Sequence, residues 1–186
     1  MKIGLIDVDS HNFPNLALMK ISAYHKAKGD DVEWWNGFQA YDRVYKSKVF
    51  DETYSDDVDY IINADEVIRG GTGYDLQNKL PEVIEHQYPD YDLYSGFENR
   101  AYGFLTRGCF RRCSFCIVSE KEGNTHTVAD LDEFWRGQKE IVLMDSNITA
   151  SKDCEKHFES LIKSKAKINF GGVGYKTANR QGRGSD

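Results

Sequence analysis

Residues 2–8 form a short apolar run that closes on acidic and turn residues, the pattern of a buried parallel strand. Pro14 then stands in a first-turn position, followed by Leu16, Met19, Ile21, Ala23 and Tyr24, with Gly29 as a stop. That spacing predicts a helix. An apolar run resumes at residues 32–35, and the strand–helix–strand order predicts an open α/β layer. The alternation across residues 43–50 predicts a further strand, and residues 60–63 another, with a turn at Gly70 and Gly71. Residues 72–98 carry Pro81, Pro89 and many acids, and read as a helix plus an irregular connection. A domain boundary is expected there, near residue 97.

From Ala101 the pattern restarts. Residues 102–105 predict a short strand that runs directly into three closely spaced cysteines. Residues 128–135 predict a helix, residues 141–144 a strong strand, and residues 154–164 a helix with Phe158, Leu161 and Ile162 on one face. Residues 168–170 begin a third strand. The remaining residues, 171–186, are almost free of core side chains.

With 186 residues, 40% hydrophobic and 13% aromatic, the chain is large enough for one or two packed domains and too apolar for global disorder. Its net charge of −6 lacks the basic footprint of a nucleic-acid binder. No segment approaches the ~20 apolar residues of a membrane span. Asp7 arrives too early for the apolar region of a signal peptide. A cytoplasmic protein with reduced thiols is therefore expected, and its four cysteines read as metal ligands or reactive groups rather than disulfides.

Three of the four lie within the segment Thr106-Arg107-Gly108-Cys109-Phe110-Arg111-Arg112-Cys113-Ser114-Phe115-Cys116, with spacing C-x3-C-x2-C. Iron–sulfur clusters take thiolate ligands, and a short loop can place three sulfurs on three corners of a cube, leaving one iron open. A zinc site is the rival, but structural zinc normally takes four ligands. The only further cysteine, Cys154, lies 38 residues on, in a predicted helix. A simple electron-transfer cluster is the other alternative. Arg107, Arg111 and Arg112 either favour thiolates and an anionic cluster or form a solvated basic loop. His126 and His157 are isolated on polar stretches and are expected at the surface.

The C-x3-C-x-aromatic-C spacing after a strand, approached by Thr-Arg-Gly, resembles the radical S-adenosylmethionine (radical SAM) superfamily. The resemblance implies a [4Fe-4S] cluster on Cys109, Cys113 and Cys116, with SAM on the open iron. It also implies reductive cleavage of SAM to a 5′-deoxyadenosyl radical, which abstracts hydrogen from a substrate the sequence does not name. Phe115 is then expected beside the adenine. Proline is common in the family after the first cysteine, where this chain has Phe110. Residues 117–123 and 134–140 resemble a bacterial and phage group of radical SAM proteins. Residues 141–147 resemble its second barrel strand, which makes Asp145 and Asn147 candidates to touch SAM; Asn147 is equally suited to cap a strand-to-helix turn. Flavodoxin or ferredoxin is the electron donor expected for the family. Related methylthiotransferases act on tRNA, but they carry further cysteines in an N-terminal domain, and residues 1–108 contain none.

The resemblance implies three regions: a Rossmann-like, cobalamin-binding-like domain over residues 1–97, the first part of a partial (β/α)6 barrel over 98–170, and a disordered tail over 171–186. Asp9-Ser10-His11 is similar to the start of the cobalamin motif D-x-H-x-x-G, but Pro14 stands in the glycine position, so cobalamin is not expected. The family continues its third barrel strand as G-L-D-I-R-L-L-T. Back-translated and shifted by one base, residues 173–180 can spell L-D-I-R-L-L-T, which suggests a frameshift near Phe170 and a truncated barrel. A catalytically inactive remnant, or a non-catalytic metal-binding protein, is the alternative to an active enzyme.

Overall fold

A computed structural model describes residues 1–10, 13–50, 55, 57 and 60–170. His11 and the tail from residue 171 lie outside the described residues. The chain divides into two compact units, Met1–Ser95 and a second that begins at Gly96. Both are mixed α/β, each built on a parallel sheet.

In the first unit, β1 (Lys2–Asp7), β2 (Asp31–Trp34), β3 (Tyr41–Ser47) and β4 (Ala64–Gly70) form one sheet in the order β2-β1-β3-β4. Helix α1 (Leu16–Ala27) crosses between β1 and β2. Asn15, rather than Pro14, starts it: the Asn15 side chain accepts the Leu18 N–H at 3.2 Å, satisfying one of the donors that a helix start leaves open. The helix buries Leu18, Met19, Ile21, Ser22 and His25, and Leu18 and Ile21 pack on Ile3, Leu5, Tyr45 and Ile84. The short helix α2 (Glu82–Glu85) supplies Ile84.

Two predicted strands have different bounds. Residues 60–63 are not a strand: Tyr60 and Ile62 are 85% and 94% exposed, and the strand begins at Ala64. Asn63 ends the loop instead, donating to the Asn36 carbonyl at 2.9 Å while its own carbonyl accepts the Trp35 indole N–H at 2.9 Å. Strand β3 stops at Ser47, not at residue 50. The buried Asp9 carboxylate takes the Val49 amide at 2.9 and 3.0 Å and the Phe50 amide at 2.7 Å, so those groups leave the ladder. Gly70 ends β4, and Gly71 is required beyond it: its φ is +98° and a Cβ would stand 2.2 Å from the Lys48 carbonyl oxygen. Lys46 and Lys48 are buried together. Lys46 pairs with Asp57, which also accepts the Tyr74 hydroxyl at 2.6 Å, while Lys48 lies 5.4 Å from the Tyr74 ring centre.

In the second unit, β5 (Arg100–Gly103), β8 (Glu140–Leu143) and β9 (Lys167–Phe170) form a parallel sheet with β8 central. A two-stranded antiparallel pair, β6 (Thr106–Arg107) and β7 (His126–Thr127), flanks the short helix α3 (Val118–Glu122). Residues 128–135 do not form a helix. A capping box between Asp130 and Glu133 closes a single 3-10 turn, Leu131–Glu133, and Phe134 then packs on Gly103, where a Cβ would meet its ring at 2.3 Å. Helix α4 (Cys154–Ser164) buries His157 and Leu161. Phe158 faces Phe170, with ring centres 6.4 Å apart, but Ile162 is 75% exposed and is not part of that face. Among the described residues no helix is long and apolar enough to cross a membrane.

Candidate metal centre

The cysteine loop is built on the C-terminal side of β5. Asp145, just past the end of β8, fixes the approach: its carboxylate accepts the Leu105 amide at 3.2 Å, the Thr106 amide at 2.5 Å and the Thr106 hydroxyl at 2.6 Å. Asp145, Leu105 and Thr106 are all buried. Burial pushes the Asp145 carboxyl above its ordinary value, against the lowering effect of the Thr106 and Leu105 donors and of the nearby His157.

Beyond Thr106 the chain pairs with β7, Thr106 opposite Thr127 and Arg107 opposite His126, which makes a narrow neck. Gly108 sits in that neck with φ +84°, and a Cβ there would lie 2.4 Å from the Asn124 carbonyl oxygen, so only glycine fits. The Cys109 amide donates to the Gly123 carbonyl at 2.9 Å. Glu122, the last residue of α3, accepts Arg107 Nη1 at 3.0 Å on one oxygen and the Gly108 amide at 3.0 Å on the other. The loop between Gly108 and Gly123 is thus closed at its base. Inside it, the Cys116 amide donates to the Cys113 carbonyl at 3.0 Å, and Arg112 adopts a left-handed φ of +42°.

All three cysteines are free thiols on this loop; Cys113 is exposed and Cys109 and Cys116 are half-buried. Among the described residues, no three His, Cys, Asp or Glu side chains gather in a metal-holding group. Thiolates brought together without a cation repel one another, and metal uptake is coupled to their deprotonation. The donor set suits a cluster with an open iron better than structural zinc, since the fourth cysteine is a poor candidate ligand. Cys154 lies on α4, and burial, then Glu155, pushes its thiol up.

Of the residues expected at SAM, the structure brings Asn147 to the loop: its Nδ2 donates to Cys109 Sγ at 3.8 Å. Asn147 begins the 3-10 turn Ile148–Ala150 but makes no side-chain cap bond; its Oδ1 accepts the Thr149 hydroxyl at 3.2 Å instead. Asp145 is engaged in holding the loop approach. Phe115 is 88% exposed, with Phe110 and Ile117 also exposed beside it. Of the three arginines, Arg107 is committed to Glu122 and to the Phe104 ring, 4.0 Å away. Arg111 and Arg112 are exposed.

Sequence reasoning missed Glu122, Thr106 and His157. The only local signal for Glu122 was an acid before a glycine at the end of a short helix. His157 is not at the surface: it is buried and its Nε2 lies 3.2 Å from the Thr127 hydroxyl, which also donates to Asp153 at 2.6 Å. In the first unit, the C-terminal ends of β1 and β3 are bridged by the chain itself. Asn15 donates to Ser47 Oγ at 2.9 Å, and Tyr94 donates to Asp7.

No family model, curated protein or solved structure matches this chain.

Proposed function

We propose that the chain is a [4Fe-4S]-binding protein of the radical SAM type, with Cys109, Cys113 and Cys116 as the three iron ligands. One observation carries this reading: three thiols at C-x3-C-x2-C share a single closed loop on the C-terminal side of a parallel strand, and the remaining cysteine is a half-buried group on a helix, its thiol pushed up by desolvation and Glu155. Chemistry in wound α/β folds is placed at that end of the strands. With cluster and SAM bound, the chemistry supplied is one-electron cleavage of SAM to a 5′-deoxyadenosyl radical. The chain's own residues present and shield that chemistry. Asp145 and Glu122 hold the two ends of the loop, the Asn147 amide donates toward Cys109 and tunes its charge, and the exposed Phe115 supplies an apolar face for an adenine.

The strand order β5-β8-β9, all parallel, supports reading the second unit as the first strands of a partial (β/α)6 barrel. The order β2-β1-β3-β4 supports a Rossmann-like reading of the first. We read that unit as working without cobalamin, because Pro14 replaces the motif glycine and Tyr94 and Asn15 occupy the strand ends. The protein is proposed to be cytoplasmic, to draw its electron from a flavodoxin or ferredoxin, and to act on a substrate other than nucleic acid.

Anaerobic reconstitution with iron and sulfide, followed by metal analysis and EPR with and without SAM, tests the reading. A cluster whose EPR signal changes on adding SAM, with 5′-deoxyadenosine as product, supports an enzyme. A cluster without SAM cleavage supports the inactive remnant. A protein that binds zinc and no iron removes the proposal.

A further inference from the structure

We infer that Glu122 is a positioning residue that locks the neck of the cysteine loop and thereby sets how Cys109 is presented; the inference rests on the cluster reading above. The loop's two ends meet at its base. There a single carboxylate spans the gap, with Arg107 Nη1 on one oxygen and the Gly108 amide on the other, both at 3.0 Å. Its side chain is 15% exposed, and Gly108 is buried, so both bonds are shielded from competing water. Charge-assisted bonds of this geometry are the strong class.

The two donors come from consecutive residues immediately before the first ligand. Cys109 itself is tied across the same neck to the Gly123 carbonyl, the residue after Glu122. The guanidinium is fixed from behind by the Phe104 ring. Movement at Glu122 is therefore passed to Cys109 through one peptide unit on each side. A carboxylate is what the site calls for, since it must accept twice. Glutamine accepts once and turns its NH2 group on the second donor, and aspartate is one methylene too short to reach from α3.

The test uses the full chain. In the metal-free protein, alkylation of Cys109 by iodoacetamide is timed against Cys154, which sits on a separate helix and serves as the internal reference. Glu122→Ala is expected to raise the Cys109:Cys154 rate ratio more than tenfold, since both charge-assisted bonds are lost and one alone accounts for about tenfold. Glu122→Gln is expected to fall between wild type and Ala, whereas Glu122→Asp behaves like Ala. In the reconstituted protein the same order is expected for the rate of iron loss to a chelator and for broadening of the EPR signal. An unchanged ratio in Glu122→Ala overturns the inference. If both cysteines speed up together, the variant has unfolded and Glu122→Gln decides, an unchanged ratio there overturning it. If wild type takes up no iron, the cluster reading fails and the alkylation ratio alone judges the neck.

Discussion

Gly108→Ala offers a direct measure of how tightly the loop neck is built, because a matched control exists in the same unit. Gly108 and Gly137 have φ of +84° and +94°, but a Cβ on Gly137 meets nothing within 4 Å. Alanine at either position incurs the left-handed backbone penalty of about 1–2 kcal/mol. At Gly108 the new methyl would also lie 2.4 Å from the Asn124 oxygen, 2.7 Å from the Asn124 carbonyl carbon and 2.7 Å from the Gly123 oxygen. These are backbone atoms of the opposite side of the neck, so they yield only if the β6–β7 pairing opens. Overpacking of this kind adds about 1–3 kcal/mol. The difference between the two variants isolates the steric part, since backbone strain cancels. With a slope of about 1 kcal/mol per molar urea, Gly108→Ala should unfold about 1–3 M earlier than Gly137→Ala. Hydrogen exchange of the segment 105–127 follows the second unit separately from the first, and Trp135 fluorescence does so in a background with Trp34 and Trp35 replaced by Phe. Equal midpoints, or equal exchange in that segment, would refute the claim that the neck is closed to a side chain.

Replacing Cys109, Cys113 or Cys116 by Ala should abolish iron incorporation in metal analysis, while Cys154→Ala should retain it; loss of iron in Cys154→Ala alone would point to a different ligand set. Asp145 has its carboxyl raised chiefly by burial, so its ionisation works against the fold. Its contribution is present in acid and is lost as the pH climbs past the ordinary aspartate range. Wild type should therefore lose stability relative to Asp145→Asn as pH rises toward neutrality, and a slope of the opposite sign in urea melts would reject the burial argument. Lys46→Ala leaves the half-buried Asp57 carboxylate without this ion-pair partner and should destabilise the first unit by about 1–3 kcal/mol. A change below about 1 kcal/mol in melts followed by Trp34 and Trp35 would show that the pair carries little.

Much of the strand and helix order could be read from the chain, because the apolar positions recur with the period of the element that buries them. β1, α1, β2, β8 and α4 follow that pattern, and α4 begins and ends where the spacing of its residues suggests. The failures have a common physical origin in side chains that act across the fold. Asp9 ends β3 by capturing amides forty residues away, which no local window registers. The segment at 128–135 carries helix-like spacing, but Phe134 is claimed by the bare backbone at Gly103 and the helix stops after one turn. His157 looks polar in its sequence neighbourhood and is buried because Thr127 waits for it on another element. At the candidate site the proposed ligands were picked out by spacing alone. The carboxylates that hold their loop were not, since Asp145 and Glu122 reveal their tasks only through partners 14 to 40 residues distant.

The pairing of β5 with β8 sets Gly103 beside Leu143, and two residues further along each chain Leu105 meets Asp145. A slip of one position in that register would carry the carboxylate about 3.3 Å along the strand and turn its side chain to the opposite face. The cysteines sit close together in sequence, yet the frame that aims them is assembled from a distant strand. A nascent chain consequently has its three clustered thiols well before it has a place to put them, and under the cluster proposal metal capture would be the reward for finished strand pairing rather than its cause.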